Sequence, residues 1–306
     1  MDLSPFDLRR AELHDRIRRL AASASVEVSP RDGDDLAASA EMLKPGCDVS
    51  ITWMPRDTIA ERVAAAVMVR RAGFEPVPHV AARFLQSRDE LRDFLKALRG
   101  EADVRRILLI GGDRSTCAGP FASAFEVLRT GVIEAAGIEE VGITLYPEGH
   151  PQVADEVLIE AFASKAGYLE AAELKSFAVT QLCFDARDIV RLLLSVRRLD
   201  YTGPLRVGLA GPASFSTLVK FAARCGVGAS TKAILSRTAS MTKLLTEAGP
   251  DPIIRDLAES KDLDGLQPIS LHFFPFGGLT KTCRFVHALA EGRFDIPVTQ
   301  SGLHLT

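Results

Sequence analysis

Five polar residues stand within or at the ends of apolar segments of the chain, and their types suit acid–base chemistry on flat, ring-shaped molecules. Glu27 is flanked by Val26 and Val28. A carboxylate in such a run loses water whichever way it points. Desolvation raises a carboxyl pKa toward the range of a proton donor near neutrality. A buried glutamate paired with an arginine is the structural alternative. Thr52 closes the apolar run at 48–53, His79 ends the next one, and Asp113 follows Gly111-Gly112. The two glycines would let backbone approach a planar ligand, with Asp113 as an anionic acceptor. Gly-Gly-Asp is equally a turn whose aspartate caps the following helix. Gln181, in Thr180-Gln-Leu-Cys-Phe-Asp185, offers an amide donor and acceptor to a heterocycle edge. A histidine such as His79, taken alone, is more often packed and hydrogen-bonded than catalytic.

The elements that must position these residues alternate down the whole chain. Strand-like runs occupy 25–29, 48–53, 75–82, 105–112, 140–147, 176–184, 205–212 and 269–276, with helical patterns between them. Thr58-Ile-Ala-Glu61 and Ser87-Arg-Asp-Glu90 have the spacing of capping boxes, and Gly73 stands where a helix C-terminus needs glycine. Eight such units without a composition break predict one (β/α)₈ barrel over residues 1–306, with its chemistry at the C-terminal strand ends. A doubly wound open sheet is the rival. No Gly-x-Gly-x-x-Gly follows the first strand, which counts against it. Leu8, Leu13, Ile17 and Leu20 predict an amphipathic helix within 1–23, read as a cap on the N-terminal face of the barrel. The interval 213–268 has room for two or three helices and is expected to supply part of a substrate wall.

Composition narrows the class. The chain has 306 residues, 47% hydrophobic and 25% charged, with a formal net charge of −3. Basic residues concentrate only near the start (Arg9, Arg10, Arg16, Arg18, Arg19), so nucleic acid is not an expected partner. The five cysteines (Cys47, Cys117, Cys183, Cys225, Cys283) form no Cys-x-x-Cys pair, which suits reduced thiols rather than disulfides or a metal site. Neither a signal-peptide run nor a membrane-spanning stretch is evident, and a cytoplasmic location is expected. A homo-oligomer is left open.

Taken together, the motifs resemble methylenetetrahydrofolate reductase, the catalytic-barrel type found in bacteria. The segments carrying the likeness are, in order, Ser25-Val-Glu27-Val-Ser-Pro30-Arg31, Val49-Ser-Ile-Thr52, Pro78-His79-Val80, Gly112-Asp113 and Tyr146-Pro-Glu148-Gly-His150-Pro151. Thr180-Gln181-Leu-Cys-Phe184-Asp185, Gly208 to Phe215, and His272-Phe273-Phe274 follow, so that the likeness spans roughly residues 24–295. The resemblance implies hydride transfer from NAD(P)H to FAD, and from the flavin to 5,10-methylenetetrahydrofolate, giving 5-methyltetrahydrofolate. It implies that Glu27 is the general acid opening the folate's five-membered ring. Asp113 would lie between flavin and pterin, Gln181 would hydrogen-bond the folate, and Phe215 would stack on aminobenzoate or nicotinamide. Thr52, His79, Gly112, Asp113, Ala122, Tyr146 and His150 fall where the family contacts FAD. Lys281 is the nearest cation on the substrate side.

The chain departs from the family where the FAD diphosphate is held. Gly111 stands where an arginine is usual, Phe121-Ala-Ser-Ala-Phe125 lacks the usual acid, Gly277-Gly278 replaces an Asn-Arg pair, and the cations before Thr180 do not align. Lys165, Lys175 and Arg114 are the candidate substitutes. These departures predict weaker flavin retention and allow a flavin-independent variant of the same reaction. A Schiff-base barrel enzyme needs a lysine at a strand end, and none of the eight runs contains one. A folate- or flavin-binding paralogue without turnover is the alternative outside enzymology. The retained Glu27 argues against it.

Overall fold

The computed structural model describes residues 4–224, 247–266, 268–298 and 302–306. Eight parallel strands close into a barrel: β1 (Ser25–Val28), β2 (Asp48–Ile51), β3 (Glu75–Ala81), β4 (Arg106–Ile110), β5 (Glu140–Leu145), β6 (Lys175–Thr180), β7 (Leu205–Ala210) and β8 (Ile269–Phe274). Each pairs with its sequence neighbour, and β8 pairs with β1 through Ser25 opposite His272. All eight expected strands are present, so the open sheet is excluded. The expected runs continue one to four residues further than the strands do. The reason is visible at β6: after Thr180, Gln181 N–H still donates to Leu145 O, but Leu182 N–H turns back to Gln181 Oε1 and ends the ladder.

Local chemistry sets the helices around the barrel. In α3 (Ile59–Arg71), Thr58 and Glu61 form a complete capping box, and Gly73 at φ +88° follows the last turn. At α4 (Arg88–Ala102) the box is half made. Ser87 accepts from Glu90 N–H, whereas the Glu90 carboxylate accepts from Gln86 N–H. Leu91, Phe94, Leu95, Leu98 and Ala102 then give α4 one buried stripe at helical spacing. The N-terminal helix α1 (Pro5–Ala21) buries Ile17 and Leu20 but leaves Leu8 54% exposed. It packs against β8 and the two helices flanking it, Asp251–Glu259 and Leu279–Ala290. Its cap therefore covers one side of the barrel rather than the whole N-terminal mouth.

The mouth itself is lined from within by ion-paired side chains. Asp48 of β2 receives both Arg106 of β4 (2.7 Å) and Arg206 of β7, and Arg106 also reaches Glu140 of β5 (2.7 Å). Above this layer Val77, Leu108, Phe177 and Val179 fill the barrel, with the Arg206 guanidinium 3.8 Å above the Phe177 ring centre. Gly142 makes room for that ring, since a Cβ there would lie 2.5 Å from it. The outward residues of the same strands join the larger core shared with the helices. This alternation leaves the third interior layer, at the C-terminal end, for polar groups. Among the described residues no helix is long and apolar enough to cross a membrane. Cys47, Cys117, Cys183 and Cys283 are unbridged; Cys225 lies outside the described residues.

Candidate active site

The third interior layer is a carboxylate held between two imidazoles. Glu27 of β1 places Oε1 3.4 Å from His79 Nε2 and 3.5 Å from His272 Nε2. The side chains of Glu27 and His79 are 13% and 9% exposed, and His272 is fully enclosed. Behind His272, Ser25 Oγ lies 2.8 Å from Nδ1. A Ser25 hydroxyl donating to Nδ1 leaves the hydrogen of His272 on Nε2, directed at Glu27. His79 Nε2 has no hydrogen-bond partner although it is buried.

This arrangement reverses the electrostatics read from sequence. Burial raises the Glu27 pKa and is the largest single influence on it. The hydrogen bond from His272 and the charges of His79 and His272 together outweigh burial, so the carboxyl is held below its ordinary value. No arginine among the described residues is involved. His79 is also shifted down, because burial opposes its charge more than Glu27 favours it. Glu27 at rest is thus a carboxylate, not the standing proton donor that desolvation alone would make.

The other expected residues lie at the same end of the barrel. His79 is inside β3 rather than at its end, since the strand runs on to Ala81. Thr52 follows β2, with both its backbone N–H and its hydroxyl donating to Val28 O. Asp113 is exposed in the segment after β4 and caps no helix, as Ser123 caps the next one. Gly112 has φ +88°, and a Cβ there would come within 3.1 Å of the Phe84 ring, so the backbone packs closely against that ring. Ala122 is exposed, its carbonyl accepting from Arg83 Nε. Tyr146 and His150 pack edge to face at 5.7 Å, and Tyr146 accepts from the Thr144 hydroxyl. A cleft of about 170 Å³ opens beside Tyr146, between helices Asp155–Ala171 and Ala186–Arg197; none of Glu27, His79 and His272 lines it.

Gln181 spends its side-chain oxygen on Leu182 N–H, which directs its NH₂ group elsewhere as the remaining donor. Phe215 begins the helix Phe215–Arg224 and packs in a small apolar cluster with Phe184, Phe274 and Phe276. Phe274 stands edge to face with His272 at 5.1 Å, and Phe276 stacks on Phe221 at 3.9 Å. An aromatic wall therefore rises from the carboxylate–imidazole group at β8. Lys281 is exposed in the first turn of Leu279–Ala290. Ser25 and His272 were not singled out as site residues from sequence. Their signal is the alternation Ser25/Glu27 and Ser270/His272/Phe274, which places each set on one face of its strand.

The candidate diphosphate cations divide. Lys175 opens β6, so one strand does contain a lysine, but at the end of the barrel opposite the site. Lys165 is 8% exposed on the inner side of Asp155–Ala171, with no hydrogen-bond or ion-pair partner among the described residues. Arg114 alone sits at the C-terminal end, 5.4 Å above the Phe84 ring beside Gly112.

No protein-family model matches the chain. Among solved structures it is similar to an uncharacterized protein from Clostridium thermocellum that binds two copies of 5-methyl-5,6,7,8-tetrahydrofolic acid. The TM-score is 0.58 at 12% identity, over 92% of this chain and 97% of that one. It also aligns with a GH128 (subgroup I) endo-β-1,3-glucanase from Amycolatopsis mediterranei, in complex with laminarihexaose, at TM-score 0.44 and 15% identity, over 88% and 99% of the two chains. At these identities the first likeness is one of fold, and the glucanase likeness is too slight to bear on function.

Proposed function

We propose that this chain is a folate-dependent oxidoreductase of the methylenetetrahydrofolate reductase type, interconverting 5,10-methylenetetrahydrofolate and 5-methyltetrahydrofolate with NAD(P)H. The observation that carries the reading is Glu27, a carboxylate enclosed with two imidazoles at the C-terminal mouth of a barrel, beneath an aromatic wall. Opening the methylene bridge needs a proton on the departing nitrogen, and Glu27 is the group built to exchange one. Binding of a methyltetrahydrofolate by the Clostridium thermocellum barrel supports the substrate class. In this reading Gln181 donates to the pterin edge through its NH₂ group. Phe215, with Phe274 and Phe276, supplies the apolar surface for the aminobenzoyl ring, and Lys281 faces the substrate's anionic end.

In this reading the isoalloxazine ring lies beside Gly112 and Phe84, contacted by Thr52, His79, Asp113, Ala122, Tyr146 and His150, with Arg114 as the cation for a diphosphate. Bound there, FAD would carry hydride between nicotinamide and folate. With Lys175 at the far end of the barrel and Lys165 enclosed, the flavin-independent variant is the second reading. The test is the visible spectrum of the purified protein before and after NADPH, with thermal unfolding in added FAD and in added 5-methyltetrahydrofolate. Bleaching on NADPH and a raised unfolding midpoint with both ligands is the expected result. A colourless protein stabilised by the folate and not by FAD favours the flavin-independent variant. No response to the folate overturns the reading.

A further inference from the structure

The two imidazoles on Glu27 are not equivalent. His272 is fully enclosed, and its second nitrogen is fixed by Ser25, so its hydrogen-bonding pattern is complete once Nε2–H points at Oε1. His79 approaches the same oxygen at 3.4 Å outside hydrogen-bond geometry, and its Nε2 has no other partner. The residue as a whole is 8% exposed. Buried polar atoms are rarely left unpaired, because each forfeits its hydration. A nitrogen that alternately carries and releases a proton toward a carboxylate is one arrangement that accounts for this one.

We propose that His79 is the proton-relay partner of Glu27, while Ser25 and His272 hold the carboxylate still. The inference rests on the reading of Glu27 as the acid in the folate step. Glu27, a carboxylate at rest, takes the Nε2 proton of a doubly protonated His79 at Oε1, and the carboxyl so formed passes that proton to the departing nitrogen of the substrate. Neutral His79 then takes back one proton at Nε2 from water admitted to the site between turnovers. One proton enters from water for each one delivered, and no electron moves. Among the described residues, the ionisable groups acting on His79 are Glu27 from β1 and His272 from β8.

The relay makes a statement about the ligand-free protein. In ¹⁵N NMR of histidine-labelled protein, His272 should carry its hydrogen on Nε2, as the Ser25 contact requires. His79 should titrate, and Glu27→Gln should lower its midpoint by about one pH unit or more, the effect of removing an adjacent carboxylate. An unmoved His79 midpoint overturns the proposal. In turnover, His79→Ala should slow the folate step by about a hundredfold and recover it saturably with added imidazole, which a packing role would not give. Loss without imidazole rescue, in a variant that remains folded, also overturns the relay. Wild-type protein that binds no folate removes the functional reading instead, and the NMR comparison still decides the coupling.

Discussion

His272 Nε2 lies 3.5 Å from Glu27 Oε1 across the seam where the last strand of the barrel closes on the first, joining residues 245 positions apart. The contact exists only if the sheet closes, because β8 pairs with β1 directly. It also decides the charge of Glu27. Without His272 the carboxyl would be governed mainly by burial, which pushes it up; with His272 and His79 present it is held down.

Glu27→Gln should separate the two halves of the proposed reaction. Reduction of a bound flavin by NAD(P)H needs no acid and should stay within a few-fold of wild type. The folate half-reaction should fall by about two orders of magnitude or more, the usual contribution of a general acid. Stopped-flow bleaching and reoxidation follow each half separately. Equal loss in both would mean that Glu27 only holds the site together.

The same substitution has a sign in stability. The folded-state value of Glu27 is depressed, so its contribution is fully present above the unfolded value, about 4.3. It is lost as pH falls through the folded value. The difference in unfolding free energy between wild type and Glu27→Gln should therefore shrink on acidification below about pH 4.3. A difference that stays constant down to acid unfolding would contradict the ion-pairing account.

Asp48→Asn should be among the most damaging single changes to the fold. It strands Arg206, 11% exposed inside the barrel, and weakens the hold on Arg106, which is 39% exposed and keeps Glu140. Breaking one partner out of a buried ionic group costs about 3–5 kcal/mol. Urea unfolding should show a matching fall in midpoint. A loss under about 1 kcal/mol would mean that water reaches and solvates the arginines.

Lys165 should behave in the opposite way. Its ammonium is pushed down to about 8 by burial alone. The unfolded chain, near 10.5, then binds more protons than the folded one between about pH 8 and 10.5, so stability rises with pH across that window. Below it the full cost, about 3 kcal/mol at 1.36 kcal/mol per pH unit, is present. Lys165→Met should raise the unfolding free energy at pH 7 by about 1–3 kcal/mol and flatten its dependence between pH 8 and 10.5. A destabilised variant would show that the ammonium has a partner in solution, an anionic ligand included.

What the sequence determined by itself is what short-range physics encodes. Apolar runs, helical stripes and the Thr58–Glu61 box placed every strand of the barrel and the first turn of α3, because caps and periodicities act over a few residues. The end of the barrel that carries Glu27, His79, Asp113 and Gln181 was legible for the same reason: in parallel strands it follows from chain direction. Tertiary structure decided which of these side chains meet. Ser25, His272 and the Asp48–Arg206 pair draw their significance from strands brought together by closure and stagger, which no local pattern specifies. The charge of Glu27 could not be read locally either, since flanking valines report burial and not the imidazoles that arrive from β3 and β8. Lys165 and Lys175 are equally basic in sequence, but the fold encloses one and carries the other to the far mouth.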